Sequence, residues 1–406
     1  MNENNLSSLP TLKRGEGVLD YLDSGTIRYR KTVQVDGKQR RLTVSGGNIK
    51  ECFDKMAAKE RTAQANLRMA KAQTLVSGME EWLVVYKEPK IKPSSYDRIR
   101  VTFKNQIQNL NVANMKWREI QPIDLQKAIN SLVAQDYAYS TIKKVYDLLN
   151  SYFTFQAEQG FLQRNPMALV SMPSREHIKP PKDIVYMKED QIKIFSKEAL
   201  SLSYGSNVLK YRYGPAFVFL IYTGLRVGEL CALQWKDLDF EKNTVSVTKN
   251  LTEIYNRDYN EREPLLMKQQ GIKQYTVHIG TTKTFSTRII PLNAKALNAI
   301  KVLKEYSEFT ELDDYIVSTS KRKPCTPRQM DQRLNYLLRS TDLELPQCGC
   351  HMLRHTCASL MFAKKMQVEI IASILGHSAE VCRKTYIHFC QEQKAEAIHQ
   401  IAEFDI

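Results

Sequence analysis

Apolar residues recur at helical spacing through Val368, Ile371, Ile374 and Leu375 and stop at Gly376. This predicts a helix that ends there and leaves His377 at a fixed turn. The same reading places His351 and Arg354, three apart, on the first turn of a preceding helix, where both side chains point to one side. At the other end of the chain the period is two. Residues 26–35 and 38–44 read as strands joined by Asp36-Gly37, a strong hairpin signal. A helix over about 48–70 should cover one face of them through Ile49, Phe53, Met56 and Ala57. From about 74 to 172 the pattern turns helical, with segments at 74–86, 94–110, 122–136 and 140–159. His177-Ile-Lys-Pro-Pro-Lys182 reads as a linker stiffened by two prolines.

Beyond the linker, 188–200 and 211–222 read as helices, the second apolar enough to be central. Thr223-Gly224 breaks it, and 226–233 resumes as helix with Arg226, Glu229 and Leu230 on one side, so that Glu229 can orient the guanidinium. Residues 244–248, 274–279 and 287–292 alternate as strands do, and 280–286 between the last two reads as a hairpin tip with Lys283 at its centre. Residues 252–272 are charged and aperiodic, an insertion with no legible role. Together the pattern predicts a mainly α, multidomain α+β chain. A three-stranded sheet plus helix occupies 1–72, a helical domain 73–174, and a mixed, mostly helical domain 175–406.

Charge narrows the partners. The 406 residues carry a net charge of +15, which favours a polyanion, nucleic acid ahead of membrane, because no basic amphipathic anchor stands out. Arg28, Arg30, Lys31, Lys38, Arg40 and Arg41 crowd the two N-terminal strands. Lys92, Arg98, Arg100, Lys104, Lys143 and Lys144 lie on the helical segments, where they serve either a duplex or the solvent. No apolar run approaches about 18 residues and Met1-Asn-Glu-Asn-Asn lacks a signal peptide's regions, so a soluble, cytoplasmic protein without a membrane partner is expected. The eight cysteines show no secreted framework and read as free thiols.

Arg226 within TGLRVGEL, Lys283 within TTKTFSTRIIPL, His351 and Arg354 within HMLRHT, His377 within LGHS and Tyr386 within TYIH resemble, in chain order, the active-site set of the tyrosine recombinases. The layout of strand-rich module, helical domain and catalytic domain resembles the integrases of conjugative transposons and temperate phages. That resemblance implies a site-specific recombinase that integrates and excises a mobile element, acting as a homotetramer on double-stranded DNA. The 1–72 module would bind arm sites and the 73–174 domain core sites. It implies Tyr386 as nucleophile, forming a 3′-phosphotyrosyl ester, and Lys283 as the acid for the leaving 5′ oxygen. No cofactor is implied, and an excisionase or DNA-bending protein is a possible accessory. A terminal stripe of Ala395, Ile398, Ile401 and Ala402 packs on its own domain or, as the family does, on a neighbour.

These residue types suit the chemistry. Breaking a phosphodiester without metal or ATP needs a nucleophile, positive charge on the non-bridging oxygens and a proton for the departing oxygen. Arg226 and Arg354 supply planar, always-charged forks, His377 a further donor, and His351 a proton acceptor for Tyr386. Rival readings are a type IB-like topoisomerase, a DNA-binding protein without catalysis, and structural zinc at Cys348, Cys350, His351, His355, Cys357, Cys382, His388 and Cys390. The Cys-x-Cys step is shorter than the usual zinc spacing and has no paired second half.

Overall fold

A computed structural model describes residues 9–386 apart from residues 11, 14, 15, 23, 24, 36, 37, 179–183, 282–286 and 347. The chain divides into two compact units, Met1–Pro181 and Lys182–Ile406. Among the described residues no helix is long and apolar enough to cross a membrane.

In the first unit β1 (Val18–Tyr21), β2 (Ile27–Val35) and β3 (Lys38–Gly46) form an antiparallel sheet in chain order. The predicted Asp36-Gly37 turn falls outside the described residues, though Val35 stands opposite Lys38 as a two-residue connection requires. Helix α1 (Ile49–Ala72) starts at Asn48, whose side chain accepts from the Glu51 N–H. Its inner face is Ile49, Cys52 and Met56, against Ile27 and Tyr29. The expected Phe53 is instead 38% exposed, its ring edge-on to Tyr29 at 5.0 Å, and Ala57 is exposed, because the buried stripe runs through Cys52 and Met56, three and seven positions after Ile49, where the helix returns to the same side. A separate core gathers α2 (Leu75–Trp82), α3 (Pro93–Asn105), α4 (Pro122–Ala134) and α5 (Tyr139–Glu158) around Trp82, Phe103, Ile129, Tyr152 and Phe153. Pro93 and Pro122 each open a helix, where the missing N–H costs nothing. The predicted 94–110 helix ends at Asn105 and tightens into a 3-10 turn over Ile107–Asn109, with Ile107 and Leu110 both buried.

The second unit is organised on α7 (Gly214–Thr223), buried nearly all round. It packs against α6 (Glu189–Ala199) and against three later helices, α10 (Ala294–Glu305), α11 (Pro327–Arg339) and α12 (His351–Ala363). Gly224, at φ 64°, ends α7 in the left-handed conformation and lets α8 (Val227–Ala232) start three residues later. Then come α13 (Val368–Leu375) and α14 (Ala379–Thr385), which with α12 enclose a second, smaller apolar cluster.

The strands correct the sequence reading. β4 (Leu238–Asp239), β5 (Thr244–Val247) and β8 (Arg288–Pro291) form one sheet, β6 (Lys249–Tyr255) and β7 (Tyr275–Thr281) another. Thus β7 and β8 do not pair with each other as the arms of the expected hairpin would, and residues 282–286 of its tip, Lys283 among them, lie outside the described residues. Val247 faces Arg288 and Lys249 faces Thr281, so Thr248 alone separates the two pairings. β6 and β7 form a two-stranded ribbon. The ribbon's far end carries the insertion, with the short helix α9 (Pro264–Gln269) inside it.

Candidate active site

Three arginines converge on the end of α13. Arg288 Nε donates to the Ile374 carbonyl (2.9 Å), Arg354 Nη2 to Leu375 O (2.6 Å) and Arg226 Nη2 to Gly376 O (2.9 Å). These carbonyls are consecutive, at a helix C-terminus where cations are favoured and acceptors lack intrahelical donors. Gly376 takes φ 67° and a Cβ there would stand 2.8 Å from Arg288 Nη1, so both conformation and space require glycine. His377 follows this clamped turn, its N–H donating to Ala372 O at 3.1 Å. The sequence reading of His377 as fixed rather than helical holds, and the means of fixing it are guanidiniums.

One buried carboxylate organises two of the arginines. Glu229 is 1% exposed and accepts from the Arg226 N–H (2.9 Å) and Arg226 Nη1 (2.9 Å). Arg288 Nη1 and Nη2 add a fork at 3.1 and 2.7 Å. Burial alone would raise the Glu229 pKa, but the Arg288 hydrogen bonds and charge, with those of Arg226, hold it below the ordinary carboxylate value. Arg354, 3% exposed, has no carboxylate in its hydrogen-bonding set and donates Nη1 to Gly224 O at 2.7 Å. Desolvation first, and then Arg226, lower its pKa to about 10, which leaves it charged at neutral pH. A guanidinium has five donors. Arg226 and Arg354 each spend two of theirs on the protein in these bonds, and the side chain of Arg226 is 24% exposed.

Burial disfavours the charged form of the three histidines of the site. Desolvation, then His351 and Arg354, push His355 down to about 4, and desolvation, then Arg354 and Arg226, do the same to His377. His351 is lowered too, by desolvation and then by Arg354 and Arg226. His377 Nδ1 is buried without a hydrogen-bond partner among the described residues. Tyr386 closes α14, is 1% exposed and packs on Phe362, ring centroids 5.5 Å apart. Burial pushes its phenol up. Its hydroxyl meets His355 Nδ1 at 2.8 Å, whereas His351, the expected acceptor, is exposed and stacks edge-on against His355 at 4.8 Å.

The structure thus brings together Arg226, Glu229, His351, Arg354, His377 and Tyr386. Lys283 and the stripe from Ala395 to Ala402 lie outside the described residues. Two participants escaped the sequence reading. His355 is four residues after His351, the spacing of one helix face, which was a usable signal; Arg288, one polar residue at a strand start, offered none. Among the described residues no three His, Cys, Asp or Glu side chains group as a metal site would need.

A pH dependence follows from these shifts. Between about 4 and about 6.5 the unfolded chain carries protons on His355 and His377 that the folded chain does not, so stability rises with pH across that window. Glu229 acts in the same direction at lower pH, since its depressed pKa stabilises only while it is ionised. Urea midpoints of the DNA-free protein are expected to fall steadily from pH 7 to pH 4. A His355→Gln, His377→Gln chain should show a flatter profile.

The basic residues of the first unit are distributed unevenly. Arg28 reaches Asp20 at 3.4 Å, Arg30 pairs with the same carboxylate, and Lys31 pairs with Glu60 at 2.9 Å. Strand alternation puts Lys31 on the α1 side and Arg28, Arg30 and Arg41 on the other. Lys38 and Arg40 stand opposite Val35 and Val33. The six are therefore not one basic face. Lys92, Arg98, Lys143 and Lys144 are all exposed, Lys143 being 3.0 Å from Asp147.

Comparison with known proteins finds relatives along most of the chain. Residues 186–393 match the Phage integrase family and residues 74–133 match the "Phage integrase, N-terminal SAM-like domain". The chain is 24% identical to a "Tyrosine recombinase XerC-like" protein of Caldanaerobacter subterraneus over 95% of this chain and 99% of that one. It is 22% identical to the integrase of Staphylococcus phage L54a, over 83% and 95%. Its fold is shared with the Tn1549 transposon integrase bound to transposon right-end DNA, at TM-score 0.64 and 17% identity, covering 81% of this chain and all of that one. A lambda integrase dimer bound to a core site gives 0.57 and 16%, covering 90% and 93%. With its family match spanning half its length, the chain belongs to the phage integrase family and is a tyrosine recombinase, an enzyme that breaks and rejoins DNA at specific sites.

Proposed function

We propose that this recombinase is an integrase that inserts and excises a mobile element, cutting through a 3′-phosphotyrosyl bond to Tyr386. The observation that carries the reading is the convergence of Arg226, Arg354 and His377 on one turn, with the Tyr386 hydroxyl held by His355. In the reaction Tyr386 Oη bonds to phosphorus as the 5′ oxygen departs. The phenol proton passes to His355 Nδ1 in its Nε2–H tautomer, and Lys283 protonates the leaving oxygen. Arg226, Arg354 and His377 donate to the non-bridging oxygens, where negative charge grows. The phosphotyrosyl ester keeps the bond energy for rejoining, so neither metal nor ATP is required.

Double-stranded DNA is the partner, and a tetramer exchanging strands at core sites is the working assembly. The lambda integrase tetramer on a Holliday junction, TM-score 0.55, is a precedent for such an assembly in this fold. We assign 1–72 to arm-site binding through Arg28, Arg30 and Arg41, 73–174 to core binding through Lys92, Arg98, Lys143 and Lys144, and 175–406 to catalysis. The full chain is expected to join two specific duplexes carrying the element's ends, and to protect both core and distant sites in footprints. A chain starting near Ala72 should keep the core footprint, lose the distant one, and show a shallower salt dependence because fewer phosphates are neutralised. Identical footprints would remove the arm-site assignment. Relaxation of any supercoiled circle without joining would favour a topoisomerase.

A further inference from the structure

We propose that Arg288 is a positioning residue of the cleavage site, one that sets Arg226 and His377 in place and keeps the charge of Arg226 available to the phosphate. The proposal rests on the reading that Arg226 and His377 face the scissile phosphate. Arg288 touches neither residue through a hydrogen bond of its own. It acts through two intermediaries, the Glu229 carboxylate, gripped bidentately, and the Ile374 carbonyl, gripped by Nε.

The electrostatics give this contact its purpose. Glu229 orients Arg226 through two hydrogen bonds, but a carboxylate paired with Arg226 alone would cancel the charge that the site needs. With Arg288 on the same carboxylate, two cations share one anion and the group keeps a net positive charge. The side chain of Arg288 is 10% exposed against 24% for Arg226. Arg288 is thus the inner, structural partner, and Arg226 the one left open to a ligand. The geometry needs a planar fork: one guanidinium closes on both Glu229 oxygens while its third nitrogen holds the end of α13, a combination that a lysine ammonium does not reproduce.

Position in the chain adds a second consequence. Arg288 is the first residue of β8, five positions after Lys283 in the sequence. Its three hydrogen bonds therefore tie the start of β8 to Glu229 and to the turn before His377.

The test compares Arg288→Lys and Arg288→Met with the parent in the full-length chain. Cleavage of a nicked duplex carrying the element's joined ends is followed in single turnover, and binding of the same duplex is measured separately. Arg288→Lys is expected to lose about tenfold or more in the cleavage step, the scale of lost charge-assisted hydrogen bonds, with DNA affinity nearly unchanged; Arg288→Met should lose more. Amide hydrogen exchange of the DNA-free protein should accelerate at Gly376 and His377, whose N–H groups bond Ser373 O and Ala372 O, while α7 and α10 stay protected. A normal cleavage rate in Arg288→Lys, or a loss matched by weaker DNA binding, overturns the proposal. If the parent forms no Tyr386-dependent adduct, the cleavage reading fails by itself. The exchange measurement, which needs no DNA, then decides: unchanged protection at Gly376 and His377 in Arg288→Lys rejects the positioning role.

Discussion

Tyr386→Phe is expected to abolish the denaturant-resistant protein–DNA adduct on a nicked substrate while leaving fold and DNA binding intact. The phenyl ring keeps the contact with Phe362 and the place in the α12–α14 cluster. What is lost is one hydroxyl and its bond to His355. The ordinary phenol, with a pKa near 10, is ionised in about one molecule in a thousand at pH 7, a deficit of about 4 kcal/mol. Burial pushes Tyr386 further from ionisation, so attack depends on a base in contact and on cations that stabilise the phenolate. His355, neutral because its pKa is depressed to about 4, can accept that proton across the physiological range. Adduct formation should therefore decline as pH falls toward 4. Electrophoresis under denaturing conditions reads the adduct directly. A Tyr386→Phe chain that still carried DNA would mean that another residue is the nucleophile.

Arg226→Lys should lower the cleavage rate by about a hundredfold or more, the scale of losing a preorganised donor at developing charge, with DNA affinity changed far less because many basic residues share the phosphate contacts. Lysine keeps the charge but cannot hold Glu229 Oε1 and Gly376 O with two nitrogens of one plane, as Arg226 does. Single-turnover cleavage beside a separate binding measurement distinguishes the cases, and a normal cleavage rate would remove Arg226 from the transition state. Arg354 is a less clean probe. At 3% exposure it satisfies Gly224 O and Leu375 O from inside the protein, and truncation leaves those buried acceptors unpaired at about 1–3 kcal/mol each. Arg354→Ala is thus expected to lose stability together with cleavage, so Arg226 isolates the chemistry better.

Local pattern was enough to foresee the helices around the site. The apolar spacing of Val368, Ile371 and Leu375 before Gly376 marked α13 and its end, and the unbroken apolar run at 216–221 marked α7 as central. Both features are local, one a helical period and one a continuous apolar run, so neighbours along the chain suffice to show them. The reaction class was legible for another reason: Arg, His and Tyr types in a family's order point to a reaction even when their geometry is unknown. Burial side was less secure, and α1 turned Cys52 inward where Phe53 was expected, because residues one apart differ by only about 100° around a helix.

Tertiary structure decided the partnerships. That β7 pairs with β6 and β8 with β5 depends on strands far apart in sequence, and alternation within each strand says nothing about its neighbour. Three guanidiniums at the end of α13 come from positions 226, 288 and 354, and no local signal marks a carbonyl as their acceptor. His355 rather than His351 meets Tyr386 because the packing of α14 on α12 selects one of two histidines on the same helix face. Sequence determined which chemistry this chain carries. Which side chains orient it was settled only by long-range packing, since hydrogen bonds act over about 3 Å in space and leave no period along the chain.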